Sequence, residues 1–155
     1  MKLQQKILAG LAASILAIQL VRPTEKVAAA PGPGDLLVQH PAPEPVRRLL
    51  VAACYDCHSD QTRYPWYAAV EPVGWWLADH VRDARTKLNF SIFGTLPARQ
   101  AVHRLDQCVD AINHGEMPLG SYQIVHGDAR LSDEDKTLLT AWFQAVGDQI
   151  SSGEK

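Results

Sequence analysis

"CYDCHSD", residues 54–60, places two cysteines three apart, with a histidine directly after the second. Cys54-Tyr55-Asp56-Cys57-His58 is the spacing by which a c-type haem is attached. On a helix, positions three apart share a face, so each thiol reaches one vinyl group of the same porphyrin. The next residue, His58, is then carried under the iron, where its imidazole coordinates. Two other readings compete. A structural zinc site needs four ligands, and the only further cysteine is Cys108, with His103 five residues before it and no second pair. A redox dithiol wants a preceding strand and a βαβ context. Upstream of the motif, however, Val46, Leu49, Leu50, Ala53, Cys54 and Cys57 recur at three- and four-residue spacing. That periodicity predicts an amphipathic helix with the cysteine pair at its end, which favours haem.

The same periodicity extends downstream. Residues 59–69 form an aromatic loop with Tyr64, Trp66 and Tyr67. Pro72 suits a first helical position, and Val73, Trp76, Leu77, His80, Val81 and Ala84 predict one apolar face after it. A third helix is expected near residues 95–97, with Thr95 as its cap, a stripe of Val102, Leu105, Val109 and Ile112, and an end at Gly115. Residues 115–130 read as a loop. The last helix opens at Ser132, where Asp133, Glu134 and Asp135 suit a helix N-terminus, and Leu138, Leu139, Trp142 and Val146 face inward. No alternating strand pattern is present. The expected fold is all-α: a small cytochrome c-like domain of four to five helices around one covalent haem, with an N-terminal hydrophobic helix. Loops this long in a small domain need something to pack around.

The chain of 155 residues suffices for one modest core. A formal charge of -2 gives a nucleic-acid role no electrostatic support. Lys2 and Lys6 precede an apolar run from residue 7 to 21, ended by Arg22 and Pro23. Residues 1–22 therefore read as a signal anchor or an export signal peptide. The anchor places the domain on the periplasmic side of a bacterial inner membrane, held through residues 7–21. The alternative, cleavage after Ala28-Ala29-Ala30, leaves a soluble periplasmic domain. Residues 23–45 hold six of the ten prolines and read as an extended linker with a reach of about 70 Å. The run Leu36-Leu37-Val38 within it is a candidate for docking on the domain. The haem-binding domain is expected over residues 46–150, with a short tail at 151–155.

Iron held by His58 has one open axial position. Met117, the only methionine besides the initiator, sits in a loop before Pro118 rather than on a helical stripe. It is the expected distal ligand, and a thioether there raises the reduction potential. His80, His103, His114 and His126 are the other candidates, as is an open position. Arg63, Arg82 and Arg85 are candidate partners for haem propionates, since guanidinium matches carboxylate. Trp66, Trp75, Trp76 and Trp142 are expected to line the porphyrin or fill the core, and Tyr67 and Tyr122 to donate hydrogen bonds once buried. Cys108 is left over as a small buried hydrophobe.

The blocks "CYDCHSDQTRYPWYAAVEPVGWW", "HVRDARTKLNFSIF" and "GEMPLGSY" occur in this order. Together they resemble the bacterial haem-binding domain family of single-haem Cys-x-x-Cys-His proteins, which looks related to the cytochrome c superfamily. The likeness covers about residues 40–150 and reaches back to "IQLVRP". The resemblance implies a helical domain with one covalent haem c. It puts Cys54, Cys57 and His58 on the family's attachment residues and Met117 on its Met-Pro block. The expected function is one-electron transfer between redox partner proteins by an exported mono-haem cytochrome. No catalytic base, nucleophile or substrate pocket is evident, so no substrate chemistry of its own is expected. The alternative is a haem enzyme or a gas or redox sensor with an open or labile distal site.

Overall fold

The computed structural model describes residues 2–23 and 28–153. Parts of the expected linker and tail, residues 24–27 and 154–155, lie outside the described residues. The described chain is helical, with no strand among its described residues. Its α-helices are α1 (Leu3–Ile18), α2 (Leu36–Gln39), α3 (Glu44–Leu50), α4 (Asp56–His58), α5 (Val73–Lys87), α6 (Ala98–Asn113), α7 (Gly120–Val125) and α8 (Asp133–Ser152).

α6 and α8 form the principal pair, α3 leans on α8, and α4 packs on α5. The expected stripes supply this core, shifted by one position in places. α6 buries Ala101, Leu105, Val109 and Ile112, and α8 buries Leu139, Phe143 and Val146. Phe90, in a 3-10 turn at Phe90–Thr95, joins the layers. Its ring stacks on Tyr55 at 5.3 Å and lies 6.4 Å from Phe143. α8 starts as expected: Ser132 Oγ accepts from the Asp135 amide at 3.1 Å, and the Ser132 amide donates to Asp135 Oδ2 at 2.9 Å. Gly115 ends α6 in the left-handed region at φ 69°.

Three expectations need correction. Thr95 does not cap α6; its hydroxyl turns back to the Ile92 carbonyl at 2.7 Å, and Pro97 holds the cap position. The buried face of α5 is Gly74 and Val81, while Val73 and Trp76 stand exposed. Gly74 lets α5 close against the turn before it: a Cβ there would sit 2.3 Å from the Ala68 carbonyl oxygen. The loop expected over residues 115–130 contains α7.

The proline-rich segment is also unlike an extended spacer. Asp35 caps α2 by accepting from the Leu37 amide at 2.9 Å. It also accepts from Tyr55 Oη at 3.0 Å and Gln61 Nε2 at 2.7 Å. Leu36 is fully buried, as the docking of this run requires. The Ala29 amide donates to the Asp60 carbonyl, and the Gly94 amide to that of Gly34. Prolines forbid a long helix here, but they leave the remaining amides and the Asp35 carboxylate free to bond the domain.

α1 carries the apolar run and buries none of its residues. Its 16 residues span about 24 Å at 1.5 Å each. Among the described residues, no helix is long and apolar enough to cross a membrane. The end of α1 is pinned to the domain. Gln19 Nε2 donates to the Glu71 carbonyl at 3.0 Å, and the Glu71 amide donates to Gln19 Oε1 at 2.9 Å. Trp75 Nε1 donates to the Val21 carbonyl at 2.6 Å.

Candidate functional site

The helix that carries the motif is continuous from Glu44 to His58 but widens into a π turn at Val51–Tyr55. Such a bulge frees carbonyls from the regular ladder, and here side chains take them up. Arg63 Nη2 donates to the Val51 carbonyl at 3.2 Å and Tyr122 Oη to that of Ala52 at 3.1 Å. At the C-terminal end, Ser59 Oγ donates to the Tyr55 carbonyl at 2.7 Å and Thr62 Oγ1 to that of Asp56 at 2.6 Å. These bonds satisfy groups a helix end otherwise leaves open, and they hold Cys54, Cys57 and His58 on a fixed segment.

Asp56, between the two cysteines, is only 7% exposed. Its carboxylate accepts from the Arg63 amide at 3.0 Å, from Arg63 Nε at 3.1 Å and Nη2 at 3.0 Å, and from Tyr122 Oη at 2.9 Å. Burial, then the Asp56 charge, pushes the Tyr122 hydroxyl well above the usual tyrosine range, so it stays a donor at neutral pH. Since Tyr122 belongs to α7, this network ties the motif helix to the segment that follows Met117.

A cavity of about 490 Å³ opens beside the motif, within the roughly 300–1,000 Å³ range of cofactor sites. Cys54, His58 and Met117 stand on its wall, with Leu88, Phe90 and Phe143 supplying apolar lining. His58 Nδ1 lies 3.0 Å from the Leu88 carbonyl. A carbonyl only accepts, so Nδ1 carries the proton and the Nε2 lone pair is left for a metal. Burial pulls the imidazole below its ordinary pKa, which keeps it neutral. Met117 is held by two amide bonds to one acceptor: the Glu116 and Met117 amides donate to the Ala111 carbonyl at 2.9 and 3.2 Å. Met117 is 37% exposed, at the rim rather than in the core.

Cys57 does not line this cavity. It borders a neighbouring one of about 260 Å³ with Tyr67, Trp76, His80 and Tyr122. Three helical residues leave the two thiols about 60° apart around the axis, and they flank the Met117–Leu119 segment, of which Met117 lines the first cavity and Leu119 the second. Burial raises the Cys54 thiol far above its usual range and pushes Cys57 up to about 11. Both are therefore thiols at neutral pH, unlike the low-pKa nucleophile of a redox dithiol. Among the described residues, no three His, Cys, Asp or Glu side chains converge to hold a metal ion. A porphyrin brings its own four nitrogens, so an iron within it asks only for the axial pair. The donor set, the tautomer of His58 and the apolar cavity fit a haem.

The other expected contacts are redistributed. Arg63 is committed to Asp56, Arg82 pairs with Asp79, and Arg85 donates to the Ser59 carbonyl at 2.9 Å and to Thr62 Oγ1 at 2.8 Å. None of the three lines the large cavity. Its basic groups are instead Lys87, Arg104 and His114. Lys87 and Arg104 carry no motif signal, which is why sequence reasoning passed over them; only their place on two different helices brings them to one rim. The tryptophans do not fill the core: Trp66 is 81% exposed, Trp75 and Trp76 are exposed, and only Trp142 packs against the buried cluster. His80 lines the smaller cavity, its Nδ1 2.8 Å from the Trp76 carbonyl; His126 stacks on Tyr122 at 3.9 Å; His103 is exposed. Cys108 lines the large cavity, half-buried, with its thiol pushed up to about 12 by burial.

No curated protein and no solved structure matches the chain. The family model described as haem-binding domain matches residues 13–145, most of the chain and every residue that borders the large cavity. The protein belongs to the haem-binding domain family.

Proposed function

We propose that the protein is an exported mono-haem c-type cytochrome, related to the cytochrome c superfamily, that passes single electrons between redox partner proteins. The observation that carries this reading is the convergence of Cys54, His58 and Met117 on one apolar cavity, with the His58 Nε2 lone pair left free. The bound haem supplies the one-electron couple. Cys54 and Cys57 would hold it through thioethers, His58 and Met117 would ligate its iron, and Lys87 and Arg104, on the cavity wall, would offer positive charge to its propionates. Phe90 and Phe143 line the cavity and would help keep water from a bound haem, which would raise its potential. Asp56, Arg63 and Tyr122 hold the motif helix and the Met117 side in one relation, so that little needs to reorganise on electron transfer. The apolar run of residues 7–21, preceded by Lys2 and Lys6, anchors the domain at the periplasmic face of the inner membrane.

Mass spectrometry and a pyridine haemochrome assay on matured protein test the cofactor: one haem per chain, covalently retained after denaturation, is expected. Met117→Ala is expected to abolish the sulfur-to-iron absorption band and lower the reduction potential. Colourless protein of unmodified mass refutes the proposal. The exposure of Met117 favours one second reading, a labile distal side that admits small gases. Rapid carbon monoxide binding to the ferrous wild type, with no sulfur-to-iron band, selects that reading over the carrier.

A further inference from the structure

Apart from the haem cavity, the least expected feature of the surface is aromatic. Trp66 is 81% exposed, and Val70, Val73 and Trp76 are exposed beside it. The Trp66 ring meets Tyr67 at 5.9 Å, and Tyr67, Val73 and Trp76 border one cavity, so these four form one patch; exposed Val70 ends the 3-10 turn that carries Trp66 and Tyr67. Isolated exposed apolar residues need no explanation, but a contiguous patch does.

The patch adjoins the end of α1. Gln19 bonds both backbone groups of Glu71, and the Val21 carbonyl accepts from the Trp75 indole, within the stretch that carries Val70, Val73 and Trp76. α1 is apolar and buries nothing against the protein. A helix of this kind finds its partner in hydrocarbon. Whatever medium receives α1 therefore begins at residues 19–21, and the tryptophan patch stands at that boundary. Indole is the side chain that favours the headgroup level of a bilayer, apolar on its faces and a donor at its edge.

We propose that the domain lies directly on a phospholipid bilayer through Trp66, Val70, Val73 and Trp76, with the Gln19–Glu71 clamp fixing its orientation. The inference rests on the membrane-anchor reading of α1 and goes beyond it. An anchor alone leaves the domain free to swing on its linker; the clamp and the patch hold one face down and keep the haem domain in a single pose for partners in or on the membrane.

The test uses the full haem-loaded chain in nanodiscs of phosphatidylethanolamine and phosphatidylglycerol, doped with a phosphatidylcholine that carries a diazirine near its headgroup. Photolysis and peptide mapping are expected to find lipid adducts in residues 1–22 and in residues 64–82. Trp66→Ser with Val70→Ser, both exposed, is expected to reduce the 64–82 adducts by about tenfold, the ratio produced by about 1.4 kcal/mol, with the haem spectrum unchanged. Gln19→Ala is expected to reduce the same adducts while those in 1–22 persist. Adducts confined to residues 1–22 overturn the docking surface and leave the anchor standing. Protein that stays in solution with no adducts overturns the anchor reading and the surface with it. Protein–protein crosslinks joining two 64–82 peptides, without lipid adducts there, assign the patch to a second copy and overturn the proposal.

Discussion

Tyr122→Phe probes the link between the motif helix and the distal segment. The tyrosine hydroxyl donates to Asp56 Oδ2 at 2.9 Å and also reaches the Ala52 carbonyl at 3.1 Å. Phenylalanine keeps the ring and its stack on His126, so packing is nearly unchanged. The carboxylate is not orphaned, because the Arg63 amide, Nε and Nη2 still donate to it. The loss is therefore that of one hydrogen bond to a charged acceptor, about 1.5–3 kcal/mol, rather than the larger cost of an unpaired buried ion. At a slope of about 1–3 kcal/mol per molar urea, the unfolding midpoint is expected to fall by roughly 1 M. Tyr122 lies in α7, and Gln123 beside it donates to the Pro118 carbonyl at 2.6 Å. In the haem-loaded protein the same substitution is thus expected to loosen Met117 and speed carbon monoxide binding to the ferrous form. A double-mutant cycle with Asp56→Asn isolates the contact. Coupling of at least about 1 kcal/mol is expected; effects that add within about 0.3–0.5 kcal/mol refute the claim that this bond joins the two segments.

Three other expectations follow from the packing and the titrations. Burial raises Tyr122 and Tyr55 above the usual tyrosine value, with Asp56 and Asp35 adding to the effect. The unfolded chain releases these protons near pH 10 while the folded chain keeps them, so stability is full below about pH 10 and declines as pH rises beyond it. Urea midpoints measured across that range are expected to fall, less steeply in Tyr122→Phe; a flat profile contradicts the assignment. Phe90→Ala, which removes a ring that touches Tyr55, His58 and Phe143, is expected to cost about 3–5 kcal/mol in the same assay. Gly74→Ala sets a methyl 2.3 Å from the Ala68 carbonyl oxygen and 2.9 Å from both Glu71 carboxylate oxygens, so backbone must move. A loss of about 1–3 kcal/mol is expected, and an unchanged melting curve refutes the tight approach.

The helices were legible because their signal is local. The stripe of α6, the acidic opening of α8 after Ser132 and the run from Val46 into Cys57 each lie within one window of sequence, and each became a helix. What periodicity missed depends on distant groups. The π turn at Val51–Tyr55 has no composition of its own; it persists because Arg63 and Tyr122 bond the carbonyls it frees, and Tyr122 is 70 residues from Ala52. The face of α5 was misjudged for a related reason. Val73 and Trp76 are apolar at helical spacing, yet Gly74, with no side chain, is what meets the neighbouring turn.

At the site, a motif names candidate haem-holding residues but not the groups that surround them. Sequence spacing and loop position single out Cys54, His58 and Met117, and the fold brings these three to one cavity. The arginines qualify by charge and shape alone, and each is engaged by a nearer acid or carbonyl: Arg63 by Asp56, Arg82 by Asp79, Arg85 by Ser59. Lys87 and Arg104, which do reach the cavity rim, arrive from the end of α5 and the middle of α6. The proline-rich segment failed in the opposite sense. Its composition describes what the chain does alone, an extended spacer, and says nothing of an environment that offers Tyr55 and Gln61 to Asp35. With the end of α1 bonded at residues 19–21 and the segment at residues 29 and 34–39, the distance between α1 and the cavity is set by those bonds rather than by linker length. If the protein carries electrons as proposed, a change at Gln19 or Asp35 is expected to alter its exchange rate with a partner while the reduction potential stays the same, because neither residue borders the cavity; a shifted potential refutes this.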